Sequence, residues 1–255
     1  MTLKHKPLLP ALALVVLFVL QSGVVLAQPP GGAPGGQGPR NNLPPIPLVS
    51  DTTHTLTKYF STPTAAKKGI NAEGFIQRWL VLEPVKKDIA RNSIFTESYL
   101  RTNLTADNFS TDYMIIPKKD QVVKIGNQDL KWYALDTKTF NFNLFHFTYA
   151  IDKPRYGILV WLVTVVDCPQ EMQNVRMTAG CNSSSMWWVN GQETMMAFGD
   201  RDLVADNIAS KRLTLKKGRN IIRGAVMNGP GMANFAVRFI DEKGAPIKNL
   251  SISTQ

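Results

Sequence analysis

Hydrophobic and polar residues alternate in short runs from residue 75 to residue 253, and turn-forming residues separate the runs. Residues 235–240 alternate regularly, as expected for a strand with one buried face. Residues 157–167 (GILVWLVTVVD) are apolar at almost every position, which is typical of a central strand covered on both faces. About ten such runs at close spacing, with little helical pattern between them, predict an all-β fold, an antiparallel β-sandwich of jelly-roll type.

The same pattern gives the individual elements of this sandwich. Two hairpins are predicted, one around residues 126–129 (GNQD) and one around residues 216–218 (KKG). Short helices are predicted around residues 98–104 and 105–109. The predicted strands cover residues 75–82, 121–125, 130–134, 140–151, 157–167, 175–179, 186–189, 212–215, 220–227, 235–240 and 247–253.

The segment 186–194 (MWWVNGQET) combines a strand, a tight turn and the start of a return strand. Asn190-Gly191 is a strong hairpin signal, because a type I′ turn requires positive φ at both central residues. Trp187 and Trp188 are adjacent, so in a regular strand their side chains point to opposite faces. One of them can lie in the core, and the other has to meet solvent, a second layer or a ligand.

The first 50 residues differ in composition from the rest of the chain. Residues 1–27 have a basic start, an apolar run and a small-residue cleavage site, which together predict a secretory signal peptide without a lipid-anchoring cysteine. Residues 28–50 are mostly Pro, Gly and polar residues and predict a disordered tether. Residues 51–255 then form one domain. We expect a secreted or periplasmic protein with no stable membrane insertion, because the apolar run is too short to favour a span.

The net charge of +10 and the two cysteines exclude some classes of partner. The basic residues are scattered, so no nucleic acid partner is expected, although acidic surfaces or polymers would be weakly attracted. Export would permit a disulfide between Cys168 and Cys181. If the strands that they end form a plain hairpin, however, the two thiols lie at opposite ends and cannot meet. Two cysteines alone do not make a structural zinc site.

Five motifs follow one another in a specific order from residue 74 onward: GFIQRWLVLEP, FTYAI, MWWVNG, LTLKKGRNIIRGAVMNGPG and FAVRFIDEKGAPI. This order resembles the galactose-binding-like β-sandwich of secreted bacterial polysaccharide-degrading systems. The chain also resembles small secreted proteins of Bacteroidetes type that are catalogued as acetylxylan esterases. The resemblance aligns Trp188 with the tryptophan of the family's W-x-NG strand, which implies a structural Trp188 and an outward-facing Trp187.

Two positions depart from the family pattern. Glu83-Pro84 stands where the family often has Gly-Pro after the first tryptophan strand. The loop that often holds paired aspartates reads GCNSSS at residues 180–185. No calcium or ligand role of those carboxylates therefore transfers to this chain.

Hydrolytic chemistry finds little support in the sequence. A serine nucleophile needs a base, and beyond residue 27 the chain has only His54 and His146. The G-x-S-x-G and H-E-x-x-H motifs are both missing from the sequence. A triad of Ser184, His146 and Asp167 could be imagined, but its spacing does not support one. His146 falls in the predicted strand 140–151 and is expected to pack in a sheet. We expect neither a metal nor a cofactor.

Sugar binding requires fewer specialised residues than hydrolysis does. Aromatic faces stack on the apolar faces of pyranose rings, while Asn, Asp and Arg bind the hydroxyls. The sequence offers six candidates for this role, namely Trp187, Trp132, Tyr133, Asn182, Asn190 and Arg201. Three functions stay open. The first is a carbohydrate-binding accessory in the degradation of xylan or a related plant cell-wall polysaccharide, the second an acetylxylan esterase, and the third a structural or protein-interaction sandwich.

Overall fold

The computed structural model describes residues 55–89, 91 and 94–255. The predicted signal peptide at 1–27 and tether at 28–50 lie outside the described residues, as does His54. No helix in the described part of the chain is long and apolar enough to cross a membrane.

Two antiparallel sheets make up the domain, which confirms the predicted β-sandwich. In the larger sheet the main spatial order is β1-β6-β3-β8-β14-β10-β11, with β2, β4, β5 and β16 paired alongside; the smaller sheet has the order β12-β9-β15-β7, with β13 paired to β9. The strands along the chain are β1 (Phe60–Ser61), β2 (Lys67–Gly69), β3 (Arg78–Leu82), β4 (Val85–Lys86), β5 (Val122–Ile125), β6 (Gln128–Thr137), β7 (Phe142–Asn143), β8 (Ile158–Cys168), β9 (Met172–Cys181), β10 (Ser184–Val189), β11 (Gln192–Ala197), β12 (Ile208–Ala209), β13 (Leu213–Leu215), β14 (Gly218–Asn228), β15 (Asn234–Ile240) and β16 (Ser251–Ser253).

The chain repeatedly crosses from one sheet to the other. The predicted hairpin around residues 216–218 is wrong for this reason, because β13 pairs with β9 whereas β14 pairs with β8 and β10. The side chain of Asn220 closes the crossover: its Oδ1 accepts from Lys216 N at 2.9 Å and its Nδ2 donates to Lys216 O at 2.8 Å. The alternation of apolar and polar residues indicates that a segment is a strand, but it does not indicate which strand is its pairing partner. The hairpin at residues 126–129 is confirmed, since β5 pairs with β6.

The main core lies between the two sheets. Trp79 of β3, Trp187 of β10 and Phe235 of β15 are 0–1% exposed, and their ring centroids lie 5.3–5.9 Å apart. The Trp187 ring packs directly on Gly224 of β14, its cross-strand partner. Burial of such large aromatic rings stabilises the sandwich by several kcal/mol per side chain, roughly 3–5.

A second layer covers the outer face of the larger sheet. It consists of helix α1 (Glu97–Ala106) and the loop at residues 107–116. The helix begins at Glu97 because Thr96 caps it, accepting from Tyr99 N at 3.3 Å. Leu100 and Leu104 point inward and are buried. The helix predicted around residues 98–104 is confirmed.

Arg223 of β14 fastens this second layer to the sheet. Its guanidinium lies 4.0 Å from the Phe109 ring centroid and 4.4 Å from that of Trp161. It also donates to Ser110 O at 3.1 Å and to Asn108 Oδ1. Burial lowers the pKa of Arg223 to about 10, since the cation has few water contacts.

The strand predicted at 140–151 is wrong. After the two residues of β7 the chain forms helix α2 (Leu144–Ala150), and Asn143 caps it by accepting from His146 N at 2.9 Å. The helix buries Leu144, Phe147 and Thr148, which lie on one face at spacings of three and four residues. Because apolar residues alternate with asparagine over residues 140–144 (FNFNL), the pattern predicted a strand and concealed this helical face.

Cys168 and Cys181 are both buried and unbonded. They end strands that belong to different sheets, β8 and β9. Burial raises the pKa of each thiol to about 11, so both are protonated at neutral pH.

Candidate functional site

Both tryptophans that the sequence analysis assigned to glycan binding are buried. Trp187 is 0% exposed and lies between the sheets, so the expectation that it faces outward is wrong. Trp132 is also 0% exposed, and its ring packs against Phe109 with centroids 4.9 Å apart. A sugar ring stacks only on an exposed aromatic face, so neither indole can make the contact predicted for it. The two indoles are buried for different reasons, because Trp187 lies in the core between the sheets whereas the second layer covers Trp132 together with Trp188.

Tyr133 and Asn190 are engaged in contacts within the protein. The Tyr133 hydroxyl donates to Glu83 Oε1 at 3.2 Å, and burial raises the pKa of Tyr133. Asn190 starts the predicted type I′ turn, with φ of 51° followed by 79° at Gly191. Its Oδ1 accepts from Ile221 N at 2.9 Å, which fastens the turn to β14. Both polar groups therefore serve the fold.

Asn182 and Arg201 lie together at one end of the sandwich. The backbone N–H of Arg201 donates to Asn182 O at 3.3 Å. Asn182 Oδ1 accepts from Asn234 Nδ2 at 2.9 Å, and Asn234 Oδ1 accepts from Asn141 Nδ2 at 3.1 Å. Both Asn182 and Arg201 are partly exposed. Of the six predicted sugar-binding residues, the structure brings these two together at an accessible place.

We call this region the loop end, because β8 and β10 begin there and β14 ends there. Asn228, the last residue of β14, ties two of its loops together. Its Oδ1 accepts from Ser183 Oγ at 2.5 Å, and its Nδ2 donates to Arg155 O at 3.4 Å. Asn228 is 1% exposed. The loop end is therefore braced from within by buried amide side chains.

An aromatic surface formed by Phe145, Tyr149, Arg155 and Tyr156 lies at the loop end. Phe145 and Tyr149 are one turn apart on α2, and their rings stack with centroids 6.5 Å apart. The Tyr156 ring lies 5.9 Å from Phe145 and is 52% exposed. The Arg155 guanidinium lies over both helix rings, 4.7 Å from the Tyr149 centroid and 5.3 Å from that of Phe145. The surface thus offers the exposed Tyr156 ring beside a cation that lies over the two helix rings.

A shallow groove of about 380 Å³ opens beside Tyr156. Its other walls are Lys87, Asp88, Ile89 and Gly157. Lys87 N donates to Gly157 O at 2.7 Å, so the two chain segments touch along the floor. Gly157 has φ of +60°, and a Cβ there would lie 2.4 Å from Lys87 O, so only glycine allows this approach. The exposed Asp88 carboxylate is a hydrogen-bond acceptor for hydroxyl groups.

The aromatic surface is not among the predicted sites, because the sequence pattern predicts a strand over residues 140–151. In a strand Phe145 and Tyr149 would share a face, but without the curvature that brings Arg155 back over them. The signal that could have shown the helix is Asn143 as an N-cap, with apolar residues three and four positions apart after it.

The imagined triad does not form. Asp167 and Ser184 lie near opposite ends of the larger sheet, because their partners on β14 are Arg219 and Met227. Those partners are eight residues apart, which corresponds to about 26 Å along a strand. Asp167 instead pairs with Lys67, and the Ser184 hydroxyl is buried with no partner among the described residues.

His146 also departs from its expected place in a sheet. It lies on α2, and its ring stacks on Tyr59 with centroids 3.7 Å apart. Within the described ranges, no three His, Cys, Asp or Glu side chains lie together in a way that could hold a metal ion.

Comparisons with known proteins find no matching family model and no matching curated protein. Among solved structures, a PA14 sugar-binding domain from an RTX adhesin is 12% identical, covers 69% of this chain and 96% of that chain, and has a TM-score of 0.42. The PA14 domain of the MpAFP antifreeze protein is 10% identical over 74% of this chain and 90% of that chain, with a TM-score of 0.40. A β-glucosidase from Kluyveromyces marxianus is 21% identical over 44% of this chain, has a TM-score of 0.32, and this chain spans 13% of its length. These similarities are too low to assign a family.

Proposed function

We propose that the domain binds carbohydrate at the aromatic surface of the loop end, and that its ligands are xylan or related plant cell-wall polysaccharides. In this role it would act as an accessory that holds such a polymer for its degradation. The observation that supports the proposal most directly is Tyr156, an aromatic ring that is 52% exposed beside a groove of about 380 Å³.

The surroundings of Tyr156 fit a polymer better than a small enclosed ligand. The groove is shallow and open to solvent rather than enclosed, as a chain that extends beyond the site requires. Phe198 and Met232 are 42% and 49% exposed, and both lie in loops at the same end. The loop end thus provides both an exposed aromatic ring and the partly exposed side chains of Asn182 and Arg201, which suits a pyranose, whose ring face is apolar and whose edge has hydroxyls.

The experiment compares variants for retention on insoluble xylan and for binding of xylo-oligosaccharides by titration calorimetry. Tyr156→Ala is expected to weaken binding about tenfold, since an aromatic contact contributes roughly 0.5–1.5 kcal/mol beyond its buried area. Met114→Ala is the control, because Met114 is similarly exposed, at 45%, but lies in the second layer beside the turn at Gly191. Equal binding by Tyr156→Ala and the unaltered protein would contradict the proposal, and so would no retention on any plant polysaccharide.

The alternative function, an acetylxylan esterase, leads to a different prediction. Because Ser184, His146 and Asp167 do not meet, we expect no acetyl release from acetylated xylan. Turnover that is lost in Ser184→Ala would show that this reasoning is wrong.

A further inference from the structure

The guanidinium of Arg155 is the charged group of the aromatic surface. Among the described residues it has no ion pair, and its side chain donates no hydrogen bond. The guanidinium lies instead over the faces of two aromatic rings. The neighbouring lysines differ, since Lys87 pairs with Asp107 at 2.5 Å and Lys153 pairs with Glu83 at 3.3 Å. Arg155 is thus the cation of this surface whose charge is not compensated.

We infer that Arg155 selects acidic glycans, by binding the carboxylate of a uronic acid residue while its pyranose ring stacks on Tyr156. This inference rests on the proposed carbohydrate binding and specifies its substrate class. The planar guanidinium presents two parallel N–H groups to the two oxygens of a carboxylate, and such bidentate bonds are stronger than neutral hydrogen bonds.

Arg155 is held in place before any ligand arrives. Its guanidinium lies over Phe145 and Tyr149, and its carbonyl accepts from the buried Asn228. A cation over an aromatic ring is attracted by the ring's negative face, so the side chain loses little additional freedom when a carboxylate binds.

The carboxylates nearby limit where the acidic sugar can lie. Asp88 lines the groove and repels a second carboxylate, and Asp152 is exposed in the turn before Arg155. The acidic unit therefore belongs on the Arg155 side of Tyr156, with a neutral sugar over the groove, where Asp88 can accept from hydroxyls. A polymer in which every unit is acidic is expected to bind less well than one with spaced uronic acids.

The experiment uses glucuronoxylan and the same polymer after its carboxyl groups have been reduced to alcohols, which removes the carboxylates and leaves the polymer backbone unchanged. The unaltered protein is expected to bind the acidic form about tenfold more tightly at low salt, with the difference decreasing as salt rises. Arg155→Gln should remove this difference, and Arg155→Lys should retain part of it. Arg219→Gln is the control, because Arg219 also has no ion pair among the described residues and lies at the opposite end of the sandwich.

The outcomes separate this inference from the proposed function. Equal binding of the two polymers overturns the preference for acidic glycans but leaves carbohydrate binding intact. A preference that Arg219→Gln removes as completely as Arg155→Gln also overturns it, because net charge would then be the cause. Dextran sulfate bound as tightly as glucuronoxylan overturns it as well, since the surface would then bind any polyanion. Binding of neither xylan overturns both proposals.

Discussion

Replacing Gly224 by Ala tests how closely Trp187 packs on the neighbouring strand of its own sheet. Gly224 lies directly opposite Trp187 in the pairing of β14 with β10. A Cβ at position 224 would lie 2.3 Å from Trp187 Cζ3 and 2.6 Å from Cε3, well inside van der Waals contact. The indole cannot easily move away, because Trp79 and Phe235 pack against it and its Nε1 donates to Ser185 Oγ at 3.0 Å.

An extra methyl group in a filled core costs about 1–3 kcal/mol of folding free energy, and this site is expected at the upper end of that range. For a domain of this size such a loss lowers Tm by roughly 6–12 °C. Urea unfolding and thermal melts followed by circular dichroism measure both quantities. Gly69→Ala is the matched control, since a Cβ there has nothing within 4 Å and φ is not positive. It should change Tm by less than about 2 °C.

A double-mutant cycle identifies the cause. In a Trp187→Phe background the smaller ring makes room for the new methyl group, so Gly224→Ala should cost about 1–2 kcal/mol less than in the unaltered protein. If the two changes are additive within about 0.5 kcal/mol, or if Gly224→Ala melts like the unaltered protein, the close contact with Trp187 does not limit stability.

Two further predictions concern the turn and the thiols. Asn190→Ala should lower the free energy of unfolding by about 1–2 kcal/mol in urea titrations, because it leaves Ile221 N without its acceptor and places alanine at a φ of 51°; unchanged stability would contradict the structural role given to this side chain. Iodoacetamide at pH 8 should label neither Cys168 nor Cys181 in the native protein and both in urea. Because the folded-state pKa of Cys181 is raised from 9.0 to about 11, its contribution to stability should be lost between pH 9 and pH 11, and Cys181→Ala should lose less stability over that range.

The sequence predicted those features that depend on local patterns. The apolar run at 157–167 became the central strand β8, and Asn190-Gly191 formed the turn with positive φ at both residues. Both predictions rest on rules that need no knowledge of distant residues. Local rules do not predict which strands pair with each other, because pairing depends on contacts between residues far apart in the chain. The crossover between β13 and β14 is an example.

The location of the candidate site is not predictable from the sequence, for a related reason. Adjacent tryptophans at 187 and 188 have to face opposite sides of the sheet, and the local sequence does not show whether the second side meets solvent or another layer. Helix α1 and the loop 107–116 cover Trp188. Both lie more than 70 residues earlier in the chain, so the local sequence around Trp188 does not reveal this contact. The six predicted residues then include only Asn182 and Arg201 at the loop end.

The burial of tryptophans on both faces of the larger sheet also indicates where a ligand can bind. One face of the larger sheet is covered by the smaller sheet and the other by the second layer, so a flat sheet face is not open to a polymer near β10. The remaining places are the ends of the strands, where loops are free to expose side chains. At the loop end, Asn228 and Asn234 brace the loops from within, and α2 supplies aromatic rings on a rigid element. The helix holds the rings of Phe145 and Tyr149 nearly parallel, at 12°, and the Tyr156 ring packs against Phe145 at 60°. A short braced helix is better suited than a mobile loop to holding such a surface in a fixed geometry.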